Sequence, residues 1–155
     1  MAALKDQLKS DLTDSIRSRD ELTSSTLRMA LTAITNEEVA GKQARELTDA
    51  DVMLVLSREA KKRRESADAY VSAERPELAA RERDELGVLE KYLPAQLSDA
   101  EVDVIIAAAV AEATSAGAEG GRAMGAVMKV VTPQVSGRFD GASVAAKVRA
   151  ALGMS

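Results

Sequence analysis

Apolar side chains recur along this chain at intervals of three and four residues, and no stretch sustains the period-two alternation of a half-buried strand. Leu4, Leu8, Leu12 and Ile16 open the pattern with Lys, Asp and Gln between them, which predicts an amphipathic helix with these four on its inner face. A second helix is expected from Asp20, with Leu27, Leu31, Ile34 and Val39 as its buried stripe and Gly41 ending it as a C-cap residue. Thr48 is placed to cap a third on the amide of Asp51, and Leu47 and Val52 flank that cap as a hydrophobic staple. This helix runs through Val55, Leu56 and Ala60 toward Tyr70. Pro76 and Glu77 suit the first turn of a fourth, whose stripe is Leu78, Leu86, Leu89 and Leu93.

Pro94 interrupts the pattern. The run Leu97-Ser98-Asp99-Ala100-Glu101-Val102 then repeats the start signal Leu47-Thr48-Asp49-Ala50-Asp51-Val52 almost position for position. The similarity fades after Val102, so it marks two similar caps and not a duplicated domain. A fifth helix follows through Val102, Ile105, Ile106, Ala109 and Val110, and Ser115 to Gly121 read as a loop of small residues. Met124, Val127, Met128 and Val131 predict a short helix stopped by Pro133. Gly137 to Gly141 form a connector, and Asp140 caps a last helix whose inner face is Val144, Val148 and Leu152. The expected protein is all-α, with a four-helix N-terminal domain over residues 1–94 and a small three-helix domain over residues 95–155.

Composition agrees with that reading. Phe139, Tyr70 and Tyr92 are the only aromatic residues among 155, so the core must be filled by Leu, Val, Ile, Ala and Met, and Ala-rich packing favours closely approaching helices. The chain has neither Cys nor His, which removes thiol nucleophiles, the usual zinc ligands and the one side chain that titrates near neutrality unperturbed. No cofactor or metal site is expected. The N-terminus lacks an apolar signal-peptide core, and the longest apolar run, Val104 to Ala111, is far short of the roughly 20 residues that span a bilayer. These features predict a cytoplasmic protein without a membrane partner.

No catalytic constellation emerges. Gly117, Gly120, Gly121 and Gly125 lack the Lys-Ser/Thr ending and the preceding strand of a phosphate loop, and read as a flexible connector. The acidic groups Asp99/Glu101/Asp103 and Glu82/Asp84/Glu85 read as solvated helix surface. Ser57 and Lys61 share a helical face, yet nothing supplies an oxyanion hole.

Two basic features stand out in a chain of net charge −4. Arg58, Lys61, Lys62, Arg63 and Arg64 crowd the third helix, where Glu59 and Glu65 are spaced to pair with Arg63 and Lys61. From Gly121 onward Arg122, Lys129, Arg138, Lys147 and Arg149 face only Asp140, a formal +4. Arg122 and Lys129 lie two helical turns apart and are expected on one exposed face, a pattern suited to phosphate contacts.

The strings Met124-Gly125-Ala126-Val127-Met128-Lys129 and Pro133-Gln134-Val135-Ser136-Gly137-Arg138-Phe139-Asp140-Gly141 resemble the signature of the GatB/YqeY family. So do Leu27-Arg28-Met29 with Asn36-Glu37-Glu38, the stretch Ser57-Arg58-Glu59 to Arg64-Glu65-Ser66, and Leu89-Glu90-Lys91-Tyr92-Leu93-Pro94-Ala95-Gln96-Leu97-Ser98. YqeY proteins are similar to the C-terminal tail of the GatB subunit of the glutamine-dependent amidotransferase that corrects misloaded aminoacyl-tRNA, where the tail helps to hold tRNA and the chemistry occurs elsewhere. The resemblance implies a noncatalytic module, tRNA-binding or associated with amidotransferase components, with no role in DNA binding. The alternatives it leaves are a carbon-nitrogen ligase with glutamine as amido donor and a helical adaptor between proteins. Carried over by position, Lys129, Arg138 and the turn Gly137, Asp140 and Gly141 matter most, and Phe139 stands where the pattern has a small residue. The RNA-binding candidates are therefore Arg122, Lys129, Arg138 and Lys147, with Lys61, Lys62, Arg63 and Arg64 as a second set.

Overall fold

The computed structural model describes residues 2–154, which form seven helices and no strand, as the helical spacing predicts. They are α1 (Ala3–Arg17), α2 (Glu21–Glu38), α3 (Asp49–Ser72), α4 (Pro76–Glu90), α5 (Asp99–Ser115), α6 (Gly120–Val135) and α7 (Gly141–Ala151). The chain divides into two compact units, Met1–Leu93 with α1–α4 and Pro94–Ser155 with α5–α7.

In the first unit α1 packs on α2 and α3 on α4, and α2 touches α3 and α4 as well. Its core gathers Leu8, Leu27, Ile34, Val52, Leu56 and Leu89, with Leu4, Leu12 and Tyr92 against its edge. The Tyr92 hydroxyl donates a short hydrogen bond to Asp11 and ties the end of α4 to α1. Two expected core positions face water: Ile16 is 49% exposed and Val39 58%. Ser15 takes the buried place on α1, where its hydroxyl meets that of Ser24 at 2.8 Å, so this last turn joins α2 through a polar contact instead of Ile16. Val39 lies beyond the end of α2, as its C-cap residue, and Gly41 falls two residues outside the cap.

The second unit is a three-helix arrangement in which α5, α6 and α7 all touch one another. Val102, Ile106, Ala109, Val127, Val131, Val135, Val144 and Val148 fill its core. The expected loop over Ser115 to Gly121 is shorter, because α6 already begins at Gly120. Pro133 does not stop α6, which continues to Val135. Val131 and Val135 are both buried, so their packing carries the helix two residues past Pro133 and its missing amide. Pro133 itself is exposed, and the Gln134 side-chain amide donates to the Val130 carbonyl at 3.0 Å nearby.

Both start signals form complete capping boxes. The Thr48 hydroxyl accepts from the Asp51 amide at 3.2 Å while Asp51 accepts from the Thr48 amide at 3.0 Å. Ser98 and Glu101 repeat this at 3.1 and 3.3 Å. Asp140 caps α7 as expected, accepting from the Ser143 amide at 3.1 Å.

Candidate nucleic-acid interface

The two basic regions differ in what their charges meet. On α3, Arg58 pairs with Glu37 at 3.2 Å, Lys61 with Glu65 at 3.9 Å, Lys62 with Glu59 at 3.2 Å and Arg64 with Glu90 at 3.7 Å. Arg63 is not on the surface at all. It is 6% exposed and donates to the Glu59 carboxylate at 2.9 Å and to the Glu59 carbonyl at 3.0 Å, with Glu85 at 3.5 Å from Nε. Burial alone would raise the Glu59 carboxyl, but hydrogen bonds from Arg63 and Lys62 outweigh it and hold Glu59 below its ordinary range. This helix thus carries its own counter-charges, as a salt-bridged face does.

In the second unit the basic residues separate into three kinds. Lys147 lies between Asp103 at 2.8 Å and Asp99 at 3.2 Å, and hydrogen bonds to these two carboxylates raise its pKa. Arg138 turns its guanidinium onto backbone: Nε donates to the Ala95 carbonyl at 3.0 Å and Nη1 to the Gln134 carbonyl at 3.4 Å. Arg122, Lys129 and Arg149 are exposed and make no hydrogen bond or ion pair among the described residues. The expectation that Arg122 and Lys129 are solvent-facing residues of one helix holds, and Gly125 between them is exposed too. A Cβ built on Gly125 would meet nothing within 4 Å, so that face is open to a close approach.

The motif turn is architectural. Gly137 adopts φ +73°, a conformation that a side chain disfavours, and its carbonyl accepts from the Gln96 side-chain amide at 3.0 Å. The Arg138 carbonyl accepts from the Leu97 amide at 2.8 Å, so residues 95–97 are clasped to the turn before α7. Phe139 is half-buried against the core, and Asp140 caps the helix that Gly141 opens. Gly137, Arg138, Phe139 and Asp140 thus each have a role in shaping the turn, quite apart from any ligand.

The remaining sites have local roles. Ser57 donates to the Met53 carbonyl at 2.9 Å, one turn back on its own helix, instead of to Lys61. Asp99 and Asp103 bracket Lys147, Glu101 serves the cap, and Glu85 receives Arg63 at 3.5 Å and Arg81 at 3.7 Å. A cleft of about 370 Å³ opens beside Ala2, Ala3, Glu46, Leu47, Thr48 and Asp49, where Asp49 accepts from the Leu4 amide at 3.0 Å. No three carboxylates converge on a cation-sized site among the described residues, and no described helix is long and apolar enough to cross a membrane. The i,i+4 spacing paired Glu59 with Arg63 correctly. Their burial, and the part of Glu85, read from sequence as solvated surface, were not legible.

Comparison with known proteins places these features in a family. The sequence profile described as Yqey-like protein matches residues 5–152. An uncharacterized protein of Schizosaccharomyces pombe is 34% identical over 93 residues, 59% of this chain and 73% of that protein. The altered inheritance of mitochondria protein 41, mitochondrial, of Saccharomyces cerevisiae is 30% identical over 99 residues, 63% of this chain and 52% of its own length. The match thus spans about half of the budding-yeast relative.

Proposed function

The chain belongs to the Yqey-like protein family, and from that premise we propose that it is a noncatalytic module that binds tRNA through the exposed face of α6. The observation that supports this reading is the contrast between paired and unpaired cations. Arg122 and Lys129 stand two turns apart on α6 with no partner among the described residues, whereas each cation of the α3 cluster has a carboxylate within 4.0 Å. A cation already neutralised inside the protein gains little from a phosphate, and an unpaired exposed one releases the counterion that the phosphate had condensed. Arg149 joins the pair as a third exposed cation of this unit without a partner among the described residues. Lys147 and Arg138 leave the RNA-binding set, because the first is held by two aspartates and the second by backbone carbonyls.

A second reading, an association with amidotransferase components or another protein, draws support from α5. Its outer side exposes Val104, 70% accessible, in line with Ala100, Ala107, Ala108 and Ala111, and carries no charge along that line. Glutamine-dependent carbon-nitrogen ligation by this chain alone has no comparable support, since Ser57, Glu85, Asp99, Glu101 and Asp103 are engaged in a helix back-bond, ion pairs and a cap. We place the module in the cytoplasm; the mitochondrial designation of the budding-yeast relative belongs to that protein.

Fluorescence anisotropy with labelled tRNA across a salt series tests the proposal. Binding should weaken with a log-log slope of roughly −0.7 to −0.9 per phosphate contact. Joint replacement of Arg122, Lys129 and Arg149 by Ala should weaken binding and flatten that slope by about 2 to 3. Absence of binding at low salt would overturn the RNA reading and leave the protein-partner reading.

A further inference from the structure

We propose that Met29 is a reversible sulfoxidation site whose oxidised form the fold holds through Arg63. Three observations meet at this residue. Met29 is 41% exposed, while Met53, Met124, Met128 and Met154 are all more sheltered, so among the described methionines a peroxide in solution reaches it most readily. Its sulfur lies 3.7 Å from Nη2 of Arg63, which donates to it. Arg63 in turn is more than nine-tenths buried, and its Nε makes no hydrogen bond even though the Glu85 carboxylate is 3.5 Å away.

A thioether is a weak acceptor, so on the Met29 side this buried guanidinium is under-satisfied. A buried cation short of acceptors is costly, and the stronger the acceptor offered, the larger the gain. Oxidation supplies that acceptor. A sulfur lone pair attacks the outer oxygen of a hydroperoxide, an S–O bond forms as the O–O bond breaks, and the departing oxygen leaves as water or alcohol after taking a proton. Sulfur loses two electrons and the peroxide gains them. The new oxygen projects from the sulfur and is highly polar, so a donor already at 3.7 Å from sulfur can exchange its N–H···S contact for an N–H···O bond. Oxidation of a methionine packed in apolar surroundings disrupts them. Here the product faces solvent on one side and a guanidinium on the other, and the α2–α3 junction is tightened. Methionine sulfoxide reductases reverse the change by returning sulfur to the thioether.

Limiting hydrogen peroxide, followed by peptide mass mapping and thermal melting of the full chain, tests the proposal. Met29 should gain its single oxygen before the other four described methionines. The singly oxidised protein should melt about 2–5 °C higher than the untreated one. Met29→Leu removes the sulfur and should show no rise after the same treatment. Met29→Gln places a permanent carbonyl near Arg63 and should melt above Met29→Leu. If another described methionine reacts first, if oxidation at Met29 leaves the melting temperature unchanged or lower, or if Met29→Gln melts at or below Met29→Leu, the proposal is wrong.

Discussion

The two units of this protein start a helix in the same way and then diverge in how they use charge and backbone. α3 and α5 each follow a buried leucine, Leu47 or Leu97, and a hydroxyl-carboxylate capping box. From there the cations of α3 are turned inward onto carboxylates. Lys5 meets Glu38 at 2.7 Å, the α3 cations meet their glutamates, and Arg63 is enclosed with Glu59 and Glu85. On α6 and α7, Arg122, Lys129 and Arg149 meet no partner among the described residues. Helix ends differ likewise. α1, α3, α5 and α7 all close with the paired backbone bonds of a Schellman turn, and the left-handed position is Arg19 or Glu74 in the first unit but Gly117 or Gly153 in the second. The difference teaches that near-identical helix starts say nothing about what the rest of a helix serves: α3 is laced with ion pairs, whereas α5 lays an aliphatic face on its core.

The sharpest way to break this comparison is to remove Arg63. Arg63→Met leaves two carboxylates facing each other in a sheltered site, and loss of one partner from such a network costs about 3–5 kcal/mol. Arg122→Ala in the second unit should cost less than about 0.5 kcal/mol. Equal effects in urea unfolding would remove the distinction between structural and unpaired cations.

Removing the Tyr92 hydroxyl comes next. Tyr92→Phe deletes its bond to Asp11 and should cost about 1 kcal/mol at neutral pH. Burial, then the hydrogen bond to Asp11 and its negative charge, hold the phenol well above its ordinary range. A raised folded pKa contributes stability that is present below the unfolded value of 10.0 and is lost as pH rises beyond it. The parent should therefore lose more stability than Tyr92→Phe above about pH 10, read from the urea midpoint.

Acid sharpens the contrast from the other side. The lowered folded pKa of Glu59 contributes stability above its unfolded value of 4.5, and that contribution disappears as pH falls through the folded value. Between about pH 5 and pH 3 the parent should lose more stability than Glu59→Gln. A parallel decline of the two proteins would mean that the bonds from Arg63 and Lys62 do not bias Glu59.

The helix ends give the smallest effects. A non-glycine residue in the left-handed region costs about 1 kcal/mol, so Arg19→Gly and Glu74→Gly should each stabilise by up to about that amount. Gly117→Ala and Gly153→Ala should destabilise by a similar amount, although a Cβ at either glycine would meet no atom within 4 Å. Thermal melting of the four variants checks the signs, and stabilisation by either alanine would show that backbone conformation does not govern these turns. Expression of residues 94–155 alone addresses the division itself, which we propose separates two folding units; a cooperative, helical melt is expected.

Local chemistry alone settled a good part of this protein. All-α architecture, the caps at Thr48, Ser98 and Asp140, and Pro76 opening α4 were legible, because each depends on residues within three or four positions of one another. The candidate site was legible only in outline: the sequence marked the C-terminal excess of positive charge and the shared face of Arg122 and Lys129. Tertiary structure decided which charges are available. Lys147 is neutralised by aspartates 44 and 48 positions away, and Arg138 is drawn to a carbonyl 43 positions away, separations at which spacing carries no information. It also decided that Arg63 is enclosed, that Ile16 and Val39 are exposed, and that α6 runs past Pro133. For Lys147, Arg138 and Arg63 the deciding term is a contact with another segment, and such contacts outweigh the propensity of a residue and its immediate neighbours.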